Sequence, residues 1–111
     1  MKIVFASSEL ARVCNDDRER VHVYGEPLAS KLRQRLGEIS AAPHLADLRR
    51  FPAVRLRRDS TCMDGSMLVA LGRVADLRVR PRYDPLPILP DGRLDEVEVR
   101  ELVVAAIAVA A

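Results

Sequence analysis

The sequence predicts an α+β domain, an N-terminal helical pair packed on a small twisted, mostly antiparallel sheet. Three observations predict it. In "GEPLASKLRQRLGEISAA", Leu28, Leu32, Leu36 and Ile39 recur at three- and four-residue spacing and make one apolar stripe along a helix. Later, "ADLRVRPRY" alternates instead, with Leu77 and Val79 facing one way and Arg78 and Arg80 the other, as a strand with one open face does. Helical patterns fill the first half and strand patterns the second, with no βαβ alternation. A length of 111 residues suits one domain, 1–111, around one core.

The elements follow in order. "KIVFAS" (Lys2–Ser7) is rich in β-branched and aromatic types and reads as the first strand. Ser7 or Ser8 caps a helix over "ELARVC", with Leu10, Val13 and Cys14 inward. "NDDRERVHVYG" begins another helical stretch, capped by Asn15 or Asp16, stopped at Gly25, with Val21 and Tyr24 as its buried side. Pro27 opens the striped helix at a first-turn position and Pro43 closes it; Lys31 and Arg35 share a face away from the stripe. "HLADLRRF" is a short helix or turn. "AVRLR" alternates as a strand, with Ala53, Arg55 and Arg57 opposite Val54 and Leu56. "SMLVALG" is continuously apolar and suits a central strand. "DPLPILPDG" is a loop. "EVEVRELVVAAIAV" is a last strand whose alanines also permit a helix.

Composition narrows the function classes. Charged residues make up 31% and the aliphatic-rich apolar set 49%, a globular balance. Only Phe5, Phe51, Tyr24 and Tyr83 are aromatic, which argues against binding single strands by base stacking. The net charge of +2 hides a gradient. Residues 49–82 hold nine Arg against Asp59, Asp64 and Asp76, a net of +6, whereas residues 83–111 hold two Arg against six acids, a net of −4. Guanidinium pairs bidentately with phosphate or carboxylate, so the basic middle points to anion recognition or to a solvated charged face. Cys14 and Cys62 define no disulfide framework, and "MKIVFASS" lacks the apolar segment of a signal peptide, so a reduced, cytoplasmic chain is expected. Leu102–Ala111 is too short to cross a bilayer. Neither zinc-ligand spacing nor a phosphate-binding glycine loop occurs, and no metal or cofactor is expected.

Across its whole length the chain resembles the RelE/ParE toxin superfamily, most closely HigB-like killer toxins of type II toxin–antitoxin pairs. The stretches that carry the resemblance are "FASSELARVCND", "LASKLRQRLGEISAAPHLADLRRFPAVRL" and "DPLPILPDGRLD". The resemblance implies a helical hairpin on a twisted antiparallel sheet, a cognate helix-turn-helix antitoxin, and mRNA cleavage on the ribosome that inhibits translation. It also meets departures. Where such toxins carry a His, a Lys and an Arg ahead of a glycine, this chain has Arg57, Ser60 and Met63, and retains only Gly65. An aromatic–Arg pair is replaced by Ala75 and Asp76, and an Asp-Tyr-His ending by Val109 to Ala111.

Cleavage through the ribose 2′-hydroxyl needs a base, charge stabilisation and help for the leaving oxygen. Charge stabilisation is well supplied. Arg55, Arg57, Arg58 and Arg78, with Tyr83 as a proton donor, form the candidate catalytic set. Arg49, Arg50, Arg80, Arg82, Lys31 and Arg35 form the candidate RNA- or antitoxin-binding set. If their strands are neighbours, Arg55 and Arg57 lie beside Arg78 and Arg80 on one face. Proton transfer is poorly supplied, because arginine stays protonated; the other candidates are His44, His22 and Asp76. Two functions therefore stand side by side: an mRNA-cleaving endoribonuclease, and a catalytically impaired toxin-fold protein that binds its antitoxin or another protein.

Overall fold

The computed structural model describes residues 1–61 and 64–109. The readings made of Cys62 and Met63, and of the last two residues of the tail, lie outside the described residues. The elements run β1 (Lys2–Phe5), α1 (Ser8–Asn15), α2 (Asp17–Tyr24), α3 (Glu26–Ala41), 3₁₀ segments at Leu45–Arg50 and Pro52–Val54, β2 (Arg57–Arg58), β3 (Met67–Leu71), β4 (Ala75–Pro81), a 3₁₀ turn at Glu96–Glu98 and β5 (Glu101–Val109). The class is α+β. The sheet has strand order β1-β5-β4-β3-β2; β1 is parallel to β5 and every other pair is antiparallel.

Local chemistry accounts for the helices. Ser7 Oγ accepts the Leu10 amide at 3.1 Å and starts α1. Asp16 Oδ1 accepts the Arg18 and Glu19 amides and starts α2. Such caps are worth about 1 kcal/mol each. Gly25, at φ +79°, ends α2 and admits α3 with one residue, a backbone turn that an L side chain resists. The expected helical pair is thus three helices, of which α3 packs on the sheet.

The sheet is one-sided. Along β4, Ala75, Leu77, Val79 and Pro81 are buried while Asp76, Arg78 and Arg80 stay half-exposed. The buried side meets Leu28, Leu32 and Ile39 of α3 in a single aliphatic core. Leu32, Ile39, Leu77, Val79 and Val104 are each fully buried, which contributes about 1.5–3 kcal/mol per side chain before ordering costs. A bulge at the Arg78/Val79 level of the β4–β5 register leaves Ala105 without a partner on β4.

Several expectations are corrected. Arg35 does not share the surface with Lys31. It is 2% exposed, while Leu36 is only half-buried, so the inward stripe is Leu28, Leu32, Arg35 and Ile39. The strand expected over "AVRLR" is cut to Arg57–Arg58: Pro52–Val54 forms a 3₁₀ turn and Arg55 turns left-handed at φ 48°, ψ 50°. Proline at the head of this segment favours the turn over a ladder. β3 is therefore paired along its length with β4 but meets β2 at only two residues, and the middle of the sheet is β4. The apolar tail chooses strand over helix. On α2 the buried side chain is Arg20, with Val21 and Tyr24 only half-buried.

The corrections at Arg35 and at "AVRLR" share a cause. With only two residues in β2, the β3 edge beyond Leu68 lacks a strand partner. Arg35 supplies one. Its Nε donates to the Ala70 carbonyl at 2.9 Å, Nη2 to the Ala53 carbonyl at 3.1 Å, and Nη1 to Glu38 at 2.6 Å. A buried guanidinium is tolerable when each nitrogen has a partner and its charge is paired in this way.

Candidate functional site

Directly opposed residues of neighbouring strands point to the same side of a sheet. Arg57 opposes Leu68, and Leu68 opposes Arg78, so Arg57 and Arg78 share the open face about 10 Å apart. Arg80 follows on the same face of β4. Of the four arginines expected on one face, Arg57, Arg78 and Arg80 lie on it by strand register, whereas Arg55 stands in the left-handed turn before β2.

They are not free for a ligand in equal measure. Arg57 Nη2 lies 2.6 Å from Asp76, and Arg78 Nε lies 2.8 Å from Asp59. Asp59 and Asp64 open and close the loop between β2 and β3, and each carboxylate folds back on the backbone two residues on. Asp59 accepts the Thr61 amide at 3.0 Å and its hydroxyl at 2.5 Å. Asp64 accepts the Ser66 amide at 3.0 Å and also the Ser66 hydroxyl. These bonds hold both carboxyls below the usual range, with Arg78 adding to the effect at Asp59 and Arg80 at Asp64. The middle of the open face is an alternation of charges that the chain neutralises itself.

Arg58 belongs elsewhere. It opposes Met67, whose side chain is in the core, so it points to the other side of the sheet. There it lines an open cleft of about 870 Å³ with Arg49, under the loop that carries Leu86, Ile88 and Leu94. Arg49 is clamped by both oxygens of Glu96 at 2.7 Å, which raises its pKa further and ties the Leu45–Arg50 segment to Glu96–Glu98. Arg50 lies 3.6 Å from Asp47 and Arg82 lies 3.9 Å from Glu101, both at the solvent surface. The candidate arginines thus divide between two sides of the sheet rather than forming one surface.

Of the proton-transfer candidates, Tyr83, His44 and Asp76 are committed to contacts within the fold. Tyr83 lies five residues past Arg78, roughly 17 Å along an extended chain. Its hydroxyl accepts the Arg100 amide at 2.9 Å and its ring packs on the core, a strand-end fixture. His44 Nε2 lies 3.5 Å from Asp47, and its Nδ1 is buried with no hydrogen-bond partner among the described residues. His22 is exposed on α2. Asp76, held by Arg57, is an ion-pair partner.

A second concavity, of about 550 Å³, lies at the β3–β4 turn and gathers Arg55, Arg57, Arg73 and Asp76. Arg73 was not singled out from sequence. It sits in the turn "LGRVA", where neither strand alternation nor helical spacing marks it; a glycine followed by arginine between two strand patterns is the signal that was there to use.

Among the described residues no group of three or more His, Cys, Asp or Glu is placed to hold a metal ion, and no helix is long and apolar enough to cross a membrane. In comparisons with known proteins, no family model, no curated protein and no solved structure matches this chain.

Proposed function

We propose that this chain is the toxin-type member of a type II toxin–antitoxin pair and that it acts by holding a protein partner, its cognate helix-turn-helix antitoxin, in the cytoplasm. The resemblance of its helical and loop segments to HigB-like toxins supports the pairing. One observation favours binding over cutting: Arg57 and Arg78 are held by Asp76 and Asp59, while the Tyr83 ring packs on the core and His44 lies beside Asp47. General acid–base catalysis is worth ~10²–10⁴-fold, so a surface that lacks it positions RNA without cutting it quickly.

The second reading is an mRNA-cleaving endoribonuclease that inhibits translation. Arg55 and Arg73 favour it, since guanidiniums without ion-pair partners among the described residues suit phosphate. Inducing the chain alone in a bacterium separates the two. Unimpaired growth, no ribosome-dependent cleavage of mRNA in vitro, and a stable complex with the product of a neighbouring DNA-binding reading frame are expected. Growth arrest with cleavage at codons, abolished in the Arg55→Ala, Arg57→Ala, Arg78→Ala triple variant, would establish the nuclease instead.

A further inference from the structure

The concavity at the β3–β4 turn gathers more positive charge than its own lining answers. Three guanidiniums and one carboxylate line it, 3 − 1 = +2. Asp76 answers Arg57, whereas Arg55 and Arg73 have no ion-pair partner among the described residues. The Lys31 stem passes close to this turn: its Cγ lies 4.0 Å from where a side chain on Gly72 would begin. The arms are also held together. Arg55 is the only non-glycine with positive φ among the described residues, a backbone that an L-residue keeps only under constraint. Its amide donates to the Pro52 carbonyl, and its own carbonyl accepts Arg57 Nη1 at 3.3 Å. Like charges kept side by side favour a shared anion.

The rest of the concavity says what kind of anion. Its floor is small, with Ala70, Gly72, Ala75 and Ala108, so the guanidiniums stand over open space. Its rims are aliphatic: Val74 and Val109, among the most exposed large apolar residues at 55% and 54%. Nothing aromatic lines it, so it offers a nucleic-acid base no stacking platform. Aliphatic rims beside unanswered cations match a chain that carries both carboxylates and apolar side chains.

We infer that Arg55, Arg57 and Arg73 form the docking site for an acidic peptide segment of a protein partner, one that places aliphatic side chains against Val74 and Val109 beside its carboxylates. The inference rests on the partner-binding reading and names the part of the surface that reading uses.

Synthetic peptides test it, with the whole chain and calorimetry. A short peptide alternating Glu with Leu is expected to bind, more weakly as salt is added, and its Gln–Leu counterpart is not. Arg73→Glu replaces attraction by repulsion in an exposed turn and should weaken binding about tenfold or more. Arg55→Gly removes the guanidinium while accepting the left-handed backbone and should weaken it too. Arg93→Glu, on the other cleft, should leave it unchanged. Equal binding by parent, R73E and R55G would overturn the site. So would tighter binding of a poly-uridylate oligonucleotide that the same variants lose, which would assign the concavity to nucleic acid. If the neighbouring gene's product binds R73E as tightly as the parent, this site is refuted and the partner reading survives. If the peptide binds as described but no such product associates, the site stands and the partner reading falls.

Discussion

Arg78 donates from Nε to Asp59 Oδ2 at 2.8 Å, tying the open face of β4 to the loop that leaves β2. The same carboxylate accepts Thr61, and together these contacts depress its pKa, the Thr61 hydroxyl most of all. A carboxyl whose folded pKa lies below its unfolded value, about 3.9, stabilises the fold fully above that value. The contribution is lost as pH falls through it toward the folded pKa. Asp64, held down chiefly by Ser66, acts in the same direction. Thermal melts are therefore expected to change little from neutral pH down to about pH 5 and to fall below about pH 4. Asp59→Asn should melt lower at neutral pH and lose less on acidification. An acid slope identical in D59N and the parent would show that Asp59 is not part of the linkage.

Arg35 is expected to be structural. Arg35→Ala leaves two carbonyls and Glu38 without their donor, and breaking a buried pair in this way costs about 3–5 kcal/mol. Arg35→Met keeps the aliphatic stem and should cost less, and Glu38→Gln, whose partner keeps a hydrogen bond, less again. Urea unfolding of the three variants gives the order. A loss below about 1 kcal/mol for R35A would mean the guanidinium is not what joins β3 to the Pro52–Val54 turn.

Gly65 is needed twice over. It sits at φ +80°, and an added Cβ would lie 3.0 Å from Leu86 Cδ1. Gly65→Ala should lose about 1–2 kcal/mol from the backbone alone, and more from the contact. Adding Leu86→Ala to G65A removes the contact and leaves the backbone cost, so a double-mutant cycle separates the two. Full additivity would indicate that Leu86 does not press on this glycine.

The Cys14 thiol is 4% exposed, and burial pushes its pKa up to about 11, with Arg20 opposing weakly. At pH 8 the folded protein then holds far less thiolate than a free cysteine with pKa near 8.5. Alkylation mapped to the Cys14 peptide should be slow in the native protein and fast in urea. Rapid native labelling of that peptide would contradict the packing of α1 against the core.

Much of the fold was legible. Helix starts narrowed to Ser7 or Ser8 and to Asn15 or Asp16, the stop at Gly25, and the alternation of β4 are local effects, set by which groups cap, which φ a residue accepts and which side a strand buries. The failures share one physical origin. "AVRLR" alternates as a strand should, yet whether it forms a ladder depends on what lies beside it, and the proline-led turn leaves β3 half-edged. The inward place of Arg35 is then decided by the Ala70 and Ala53 carbonyls, which no spacing within α3 reveals.

The candidate site divides in the same way. The sequence by itself determined that the middle of the chain is rich in arginine, that one face of β4 carries Arg78 and Arg80, and that groups suited to proton transfer beside them are few. Only the tertiary structure decided which arginines remain uncommitted. Register turns Arg58 to the far side, the loop carboxylate of Asp59 comes back onto Arg78, and the β3–β4 turn brings Arg73 to Arg55 and Arg57. Charge is a property of residues, but its neutralisation is a property of distance, and distances between segments far apart in the chain exist only once it has folded.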